Sequence, residues 1–354
     1  MSELNKLRKN VDDLDRKLIE LLNLRANLSL KINQIKKRLK KEIYSPDRQI
    51  QILKKISKTN QGPLNNSALE SIYREIFSSN LSLAKRLKIA HLGPKATFTH
   101  LAALKKFGSQ VNYLACNTIS DVFLEVEKTN ADYGVVPIEN TIEGIISYTL
   151  DMFVDSDLKI CSQITLPVTL CLLANCPKSQ IKRVYSLSQV FGQCRNWLAN
   201  NLADIEKIET SSTTKAAQIC KRQRYSACVA STLAKEVYSL RLIASGIEDS
   251  PQNITRFLVI GKSDCSPAEK NKTSIMFSIK DRIGALHDML VPFKKYGINL
   301  TKIESRPSKR KVWDYYFFVD LEGHRLDKNV KKALSELEKK AIILKILGSY
   351  PVGE

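Results

Sequence analysis

Gly134-Val-Val-Pro-Ile-Glu-Asn-Thr-Ile-Glu-Gly144 and, about a hundred residues later, Asp249-Ser-Pro-Gln-Asn-Ile-Thr-Arg-Phe257 are the stretches that decide the fold. Each adjoins an apolar, β-rich run, Tyr133 to Ile138 in the first and Phe257 to Ile260 in the second. Runs that are apolar throughout, rather than alternating, suit strands covered on both faces of an α/β sheet. The polar residues beside them (Glu139, Asn140 and Thr141; Asn253, Thr255 and Arg256) therefore fall at the rim of a buried sheet. In open α/β folds that rim is where ligands sit. Strand ends also carry polar residues for capping alone, so a single run decides little. Two of them, in this order and spacing, point to a site.

A chain of 354 residues exceeds one ordinary core, and two or three domains are expected. The eight cysteines (116, 161, 171, 176, 194, 220, 228 and 265) contain no Cys-x-x-Cys, and there are only four histidines. That is neither a zinc site nor a disulfide framework, so reduced thiols in a cytoplasm and no cofactor are expected. No stretch approaches the roughly 18 to 20 apolar residues of a membrane span, and the polar start from Ser2 lacks a signal-peptide core. The formal charge of +20 raises the question of nucleic acid. The excess is spread along the chain, however, and only Lys36-Lys-Arg-Leu-Lys-Lys41 is dense, inside a helical pattern. Few aromatics are interleaved with the basic residues, so no stacking platform is evident. A nucleic-acid partner is not expected; an anionic small substrate would benefit from the same field.

Three segments follow from periodicity. Residues 1–86 read as helical: Leu4, Leu7, Val11, Leu14, Leu18, Leu21, Leu28, Ile32, Ile35 and Leu39 keep a 3-4 spacing, with no Gly or Pro before Pro46. That is one very long helix whose seam needs a partner. Ser45-Pro46-Asp47 opens a second helix, and Ser67-x-x-Glu70 reads as a capping box for a third. Residues 87–262 alternate strands (88–93, 133–138, 167–173, 257–260) with helices (99–107, 215–221, 231–238). After a polar stretch, Lys262 to Lys272, expected as a linker, residues 273–354 carry a βαββαβ order. Its strands are expected at 273–279, 299–304, 313–320 and 342–347, and its helices at 286–296 and 327–340.

Arg25 lies in the seam between Leu21 and Leu28, where a charge is expensive unless paired. It reads either as an interhelical ion pair or as part of an anion pocket. Over its whole length the segment resembles the all-helical chorismate mutases. The resemblance implies that Arg8, Arg25, Lys36 and Arg48 hold the dicarboxylate chorismate, with Gln49 where the family has a glutamate. It also implies an intertwined dimer in which Arg8 serves the partner's site. Such a rearrangement needs only a fixed conformer and donors on the ether oxygen. The third-helix Gln or Glu that serves this oxygen in the family aligns with Ala84.

The middle segment resembles prephenate dehydratase nearly end to end. Besides the two opening runs it has Gly93-Pro-Lys-Ala-Thr-Phe-Thr99 at a strand-to-helix turn. It also has Tyr185-Ser-Leu-Ser-Gln-Val-Phe-Gly-Gln-Cys-Arg195 and Ser211-Ser-Thr-Thr214. The resemblance implies a bilobal fold like a type II periplasmic binding protein. It further implies loss of carbon dioxide and the ring hydroxyl from prephenate, with Thr255, Asn140, Ser186 and Gln193 catalytic. Thr97, Glu139, Thr141, Gln189, Ser212, Thr213 and Arg256 would bind the substrate. A threonine is too weak an acid to be a proton reservoir, so Thr255 reads as a hydrogen-bond donor or relay. Leu187-Ser188 stands where the family usually has His-Pro.

In the last segment Gly284-Ala-Leu-His-Asp288 precedes a helix and Glu304-Ser-Arg-Pro307 ends a strand. On a ferredoxin-like unit these resemble the ACT domain of feedback-inhibited dehydratases. Gly284, Ala285, Leu286, Glu304, Ser305, Arg306 and Pro307 would then bind phenylalanine between paired domains. The expected whole is multidomain: an all-α mutase segment (1–86), an α/β bilobal dehydratase domain (87–262) and an α+β ACT domain (273–354). The expected enzyme is cytoplasmic, a homodimer or dimer of dimers, rearranges chorismate to prephenate and makes phenylpyruvate from it under phenylalanine control. A dehydratase with a relict mutase arm, one preferring arogenate, and a non-catalytic amino-acid sensor are the alternatives.

Overall fold

A computed structural model describes residues 3–39, 41–280, 282–308 and 315–352. The chain divides into two compact units. One comprises the chain up to Leu87 together with Phe107–Asn112, the other Lys88–Lys106 and Tyr113–Glu354.

The first unit carries α1 (Glu3–Arg38), α2 (Pro46–Thr59) and α3 (Asn66–Ala84). The single long helix is there, with Glu3 in its first turn and Lys36, Lys37 and Arg38 in its last, matching the helix dipole. Its seam is uncovered within the chain: Leu4, Leu7, Val11, Leu14, Leu18 and Leu21 are each more than half exposed. Helix α2 begins at Pro46, as the proline predicts, but the hydroxyl of Ser45 makes no cap and instead accepts from Lys36 Nζ at 2.5 Å. The third helix is capped two residues earlier than its expected box. Asn65 is the N-cap and accepts from Ala68 N at 2.8 Å, so Ser67 and Glu70 lie inside the helix. Asparagine caps as well as serine, and here it comes first along the chain.

In the second unit β1 (Lys88–Leu92), α4 (Phe98–Phe107), β2 (Asn112–Cys116), α5 (Ile119–Glu127), β3 (Tyr133–Asn140), β4 (Gly144–Ile145), α6 (Ser147–Asp155) and β5 (Lys159–Pro167) build a first lobe. There follow β6 (Cys171–Ala174), β7 (Arg183–Ser186), α7 (Ser188–Gln193), α8 (Arg195–Asn201), β8 (Glu206–Glu209), α9 (Thr213–Arg222), β9 (Ser226–Ala230), α10 (Thr232–Tyr238) and β10 (Arg241–Ser245), which form a second lobe. The chain then returns to the first lobe as β11 (Ile254–Gly261). The sheet orders are β2-β1-β3-β11-β5, with β4 on β3, and β10-β6-β9-β7-β8. The strand expected at 167–173 is in fact two, one in each sheet, and 168–170 is a crossing between lobes. The run shows no polar break because Val168 and Leu170 of the crossing are buried like β6, while Pro167 is exposed and Thr169 half-buried. The return crossing lies beside it: Gly246 N and Ile247 N donate to Leu170 O, and Val168 N donates to Asn253 O.

The remaining elements are β12 (Asn271–Ser278), α11 (Ala285–Lys295), β13 (Leu300–Pro307), β14 (Tyr315–Glu322), α12 (Lys328–Glu338) and β15 (Ile343–Pro351). They form the expected βαββαβ unit, an antiparallel sheet in the order β13-β14-β12-β15. The strand expected at 313–320 runs on to Glu322; residues 313 and 314 lie outside the described residues. Helices α11 and α12 cover one face through Met289, Phe293, Val330 and Leu334. The other face is not free. Met276, Tyr316, Phe318, Leu347 and Tyr350 enter one core with Val136, Ile138, Phe153 and Leu258 of the first lobe. Gly348 makes this approach close: a Cβ there would stand 2.3 Å from Ile160 O. The stretch at 262–272 is therefore no tether between independent bodies, and the α/β and C-terminal segments form one compact unit.

Candidate active site

Thr255 and Asn140 are register partners across β11 and β3, so their side chains share a face. Asn140 is held in one orientation, because its Oδ1 accepts from Ile142 N at 2.9 Å and Glu143 N at 3.0 Å. Its Nδ2 must therefore donate, to Thr255 Oγ1 at 2.8 Å and to Asn253 Oδ1 at 2.7 Å. Asn253 Nδ2 then donates to Gln193 Oε1 at 3.1 Å, and Gln193 Nε2 to Glu143 Oε1 at 2.9 Å. Every amide in this chain is oriented by its neighbour, and the series ends on a carboxylate. Thr255 is 8% exposed and Asn253 2%, so the bonds at that end of the series act in a medium that strengthens them. Thr255 receives a hydrogen bond on its oxygen, which leaves its own proton to give.

Glu143 also accepts from Gln189 Nε2 at 3.2 Å, so one first-lobe carboxylate holds two glutamines of α7 in the second lobe. Asn253 is among the rim residues of the opening runs but has no role assigned from sequence, and Glu143 is not expected in the site at all. Their partners are 46 to 60 residues away along the chain, a relation that only the two crossings create. Other expected residues are placed differently. Ser186 is fully buried and donates to Val229 O at 2.9 Å, tying β7 to β9. Thr141 donates to Gln252 O and accepts from Ile254 N, pinning the two opening runs together. Ser212 caps α9, which begins at Thr213. Leu187, in place of the family's histidine, precedes α7 and packs against the second-lobe core.

Thr97 donates to Leu92 O and accepts from His100 N, fixing the turn that opens α4. Beneath it His91 and His100 stack with ring centroids 4.5 Å apart. His100 Nδ1 accepts from Ala96 N at 3.1 Å, so the ring is neutral, and burial, aided by His91 and Lys95, lowers its pKa to about 4. Burial lowers that of His91 as well. A histidine depressed in the folded state binds protons more readily when unfolded. Its contribution is therefore complete above the unfolded value of about 6.5 and is lost as pH falls through about 4. Urea midpoints are expected to fall between pH 7 and pH 5, and His100→Phe to flatten that fall; an unchanged slope would refute the assignment.

Glu139 and Arg256 form the next register pair, but they face away from Thr255. Side chains alternate along a strand, and the register slips between Arg256 and Phe257, leaving Ile138 as the extra residue of a bulge. Beyond the bulge Glu139, not Asn140, continues the face carrying Val136 and Ile138. Arg256 Nε lies 2.6 Å from Glu139 Oε1, and its Nη1 donates to Asp320 Oδ2 at 2.8 Å. Lys302 Nζ meets Glu139 Oε2 at 2.6 Å, and Ser274 Oγ donates to Asp320 Oδ1 at 2.5 Å. Burial opposes the charge on Arg256, but Asp320, Tyr350 and Glu139 outweigh it and raise its pKa. Burial likewise opposes ionisation of Asp320, which Arg256, Ser274 and Lys272 overcome. The expected carboxylate holder is thus committed to the C-terminal sheet, for the reason of strand parity.

In the helical unit Arg25 stands over the Phe77 ring at 5.5 Å, with Nη1 buried and lacking a hydrogen-bond partner. Among the described residues no carboxylate pairs with it, so the interhelical ion pair is not formed. Lys36 Nζ donates to Ile43 O and Ser45 Oγ. Burial lowers the pKa of both. Arg48 donates to Gln51 Oε1, Gln49 sits in the first turn of α2, and Arg8 is exposed on α1. In the C-terminal sheet a cavity beside Gly284, Ala285 and Leu286 is lined also by Tyr315 and Phe317. Gly284 enters α11 at φ +76°, a conformation that favours glycine. Ser305 and Pro307 pair with Phe317 and Tyr315 on that face. Glu304 and Arg306 pair with Phe318 and Tyr316 on the other, where Arg306 meets Asp151 at 3.3 Å.

Residues 89–265 match the family described as prephenate dehydratase, residues 7–85 chorismate mutase type II, and residues 273–339 the ACT domain. The bifunctional chorismate mutase/prephenate dehydratase of Aquifex aeolicus is 51% identical over 99% of this chain and 98% of its own length. The protein of the same name from Pseudomonas aeruginosa is 40% identical over the same shares. The crystal structure of prephenate dehydratase from Arthrobacter aurescens in complex with L-Phe superposes with a TM-score of 0.70 at 30% identity, covering 75% of this chain and 90% of that one. With all three segments matched in order and relatives matched from end to end, the chain belongs to the family of bifunctional chorismate mutase/prephenate dehydratases.

Proposed function

We propose that this chain rearranges chorismate to prephenate in its helical unit and converts prephenate to phenylpyruvate in the cleft between the two lobes. Phenylalanine acts as inhibitor at the C-terminal sheet. The observation that carries the dehydratase reading is the bond from Asn140 Nδ2 to Thr255 Oγ1, which leaves the threonine proton free. In the reaction the bond to the carboxyl carbon breaks, its electron pair enters the ring, and the ring hydroxyl departs with a proton as water. Aromatisation drives this, so a donor on the leaving oxygen and a fixed carboxylate suffice. Thr255 donates to that oxygen, Asn140 and Gln193 fix Thr255 and the substrate, and Gln189 and the N–H groups opening α4 and α9 bind carboxylates.

For the rearrangement, Arg25, Lys36 and Arg48 with Gln49 bind the dicarboxylate, and Arg8 comes from a second copy. The exposed seam of α1 supports this, since about ten apolar side chains in water demand a covering partner. The enzyme is therefore at least a homodimer. Free thiols at all eight cysteines suit a reducing cytoplasm, and among the described residues no helix is long and apolar enough to cross a membrane. The second reading, a dehydratase with a silent mutase arm, draws on Ala84 at the end of α3, which offers no donor.

Purified protein given chorismate alone, and in parallel prephenate, separates these readings. Phenylpyruvate from both substrates is the expected result. Product from prephenate only would make the helical unit a dimerisation arm. Product from neither would leave an amino-acid sensor.

A further inference from the structure

Two adjacent rungs of the β3–β11 ladder face opposite ways: Asn140–Thr255 toward the cleft, Glu139–Arg256 toward the C-terminal sheet. The second rung is bound on three strands there, through Asp320 of β14, Lys302 of β13 and, by way of Asp320, Ser274 of β12. Ser274 Oγ also meets the hydroxyl of the fully buried Tyr350 on β15 at 2.9 Å. All four strands of that sheet thus converge on the backbone next to Thr255. Lys272 Nζ, 3.9 Å from Asp320, is the remaining charge facing the cluster. Arg256 and Asp320 are each about 10% exposed at the side chain, so their attraction is little screened by solvent.

Moving Asp320 by the width of a hydrogen bond must move Arg256 or leave a buried charge unpaired, which is costly. Arg256 is one peptide unit from Thr255. The cavity beside Gly284 abuts the same sheet, since its lining residue Phe317 is the neighbour of Phe318 on β14. The link therefore runs along β14 from that cavity to Asp320, crosses to Arg256 of β11 by their hydrogen bond, and ends one residue away at Thr255.

We infer that Arg256 is a positioning residue, which registers Thr255 against Asn140 by its anchorage on Asp320, and that phenylalanine inhibits by shifting this anchor. The inference rests on the dehydratase reading above. It assigns to the C-terminal sheet a part in uninhibited turnover as well as in inhibition.

Asp320→Asn keeps an acceptor for Ser274 and removes the charge that holds Arg256. The full-length variant is compared with wild type for prephenate turnover, for inhibition by phenylalanine, and for phenylalanine binding by calorimetry. Expected are a fall of about tenfold in kcat, a KM for prephenate changed less than twofold, and phenylalanine that still binds but inhibits at about tenfold higher concentration. Lys159→Met serves as control, because Lys159 Nζ also crosses to the C-terminal sheet, at Ile346 O, but from the far end of β11's partner strand. It should alter neither ratio. Should Asp320→Asn not fold, Lys302→Gln, which releases Glu139 instead, carries the same expectation. Wild-type kcat and inhibition in the folded variants would overturn the inference, as would a lowered melting temperature with unchanged kcat. Absence of turnover by wild type would instead remove the dehydratase reading, and the inference with it.

Discussion

Thr255→Ala is expected to lower kcat for prephenate about 10²–10³-fold while leaving the loss of chorismate unchanged. The magnitude follows from the hydroxyl's place in the site. Asn140 donates to its oxygen, Asn140 is itself oriented by two backbone N–H groups, and the residue is 8% exposed. The proton is thus aimed before substrate arrives and needs no reorganisation when charge develops on the leaving oxygen. Alanine removes the donor and also strands one hydrogen of Asn140 Nδ2, so no neighbour supplies a replacement. Thr255→Ser should restore most of the rate, because it keeps the hydroxyl. Steady-state assays with prephenate and with chorismate check both statements; a variant with less than tenfold loss would show that Thr255 only lines the cleft.

Arg25→Met is expected to reduce chorismate turnover by at least about 10²-fold, leave prephenate turnover intact, and raise the melting temperature. The last sign is the informative one. Among the described residues Arg25 Nη1 is buried without a hydrogen-bond partner, and burial, only partly opposed by Tyr73, lowers the pKa of the group, so its charge is held at a cost. Methionine keeps the contact with Phe77 and removes the charge. On the mutase reading proposed above, a carboxylate of chorismate is the partner of that charge. A melting temperature lower than wild type would mean that the guanidinium is structural. Unchanged chorismate loss would remove Arg25 from the mutase site.

Much of this was legible in the sequence. The 3-4 spacing of α1 depends only on local periodicity, and so does the βαββαβ order, because each element is decided by which of its own faces is apolar. Asn140, Thr255 and Gln193 were found because they sit beside buried strands or within a family motif, and they prove to be hydrogen-bonded in series through Asn253. Glu143 is not legible as a site residue, and Asn253 is legible only as a rim residue without a role. An exposed glutamate in a turn and an asparagine before a strand look the same whether or not a second lobe closes over them. The apolar run at 167–173 reads as one strand for a related reason, since Val168 and Leu170 in the crossing are buried like the strand that follows them.

By itself the sequence determined the three segments, the chemistry of the rim residues and the family. Which way each rim residue looks depends instead on how distant strands pair. One extra residue in β3, Ile138, reverses the alternation, so that Asn140 enters the cleft and Glu139 turns to the C-terminal sheet with Arg256. A bulge is set by how two strands pair, and strands separated by more than a hundred residues leave no local trace of that pairing. The same holds for the second face of the C-terminal sheet. Its apolar residues could have faced solvent, a second copy or the first lobe, and the close approach of Gly348 to Ile160 settled it in favour of the lobe.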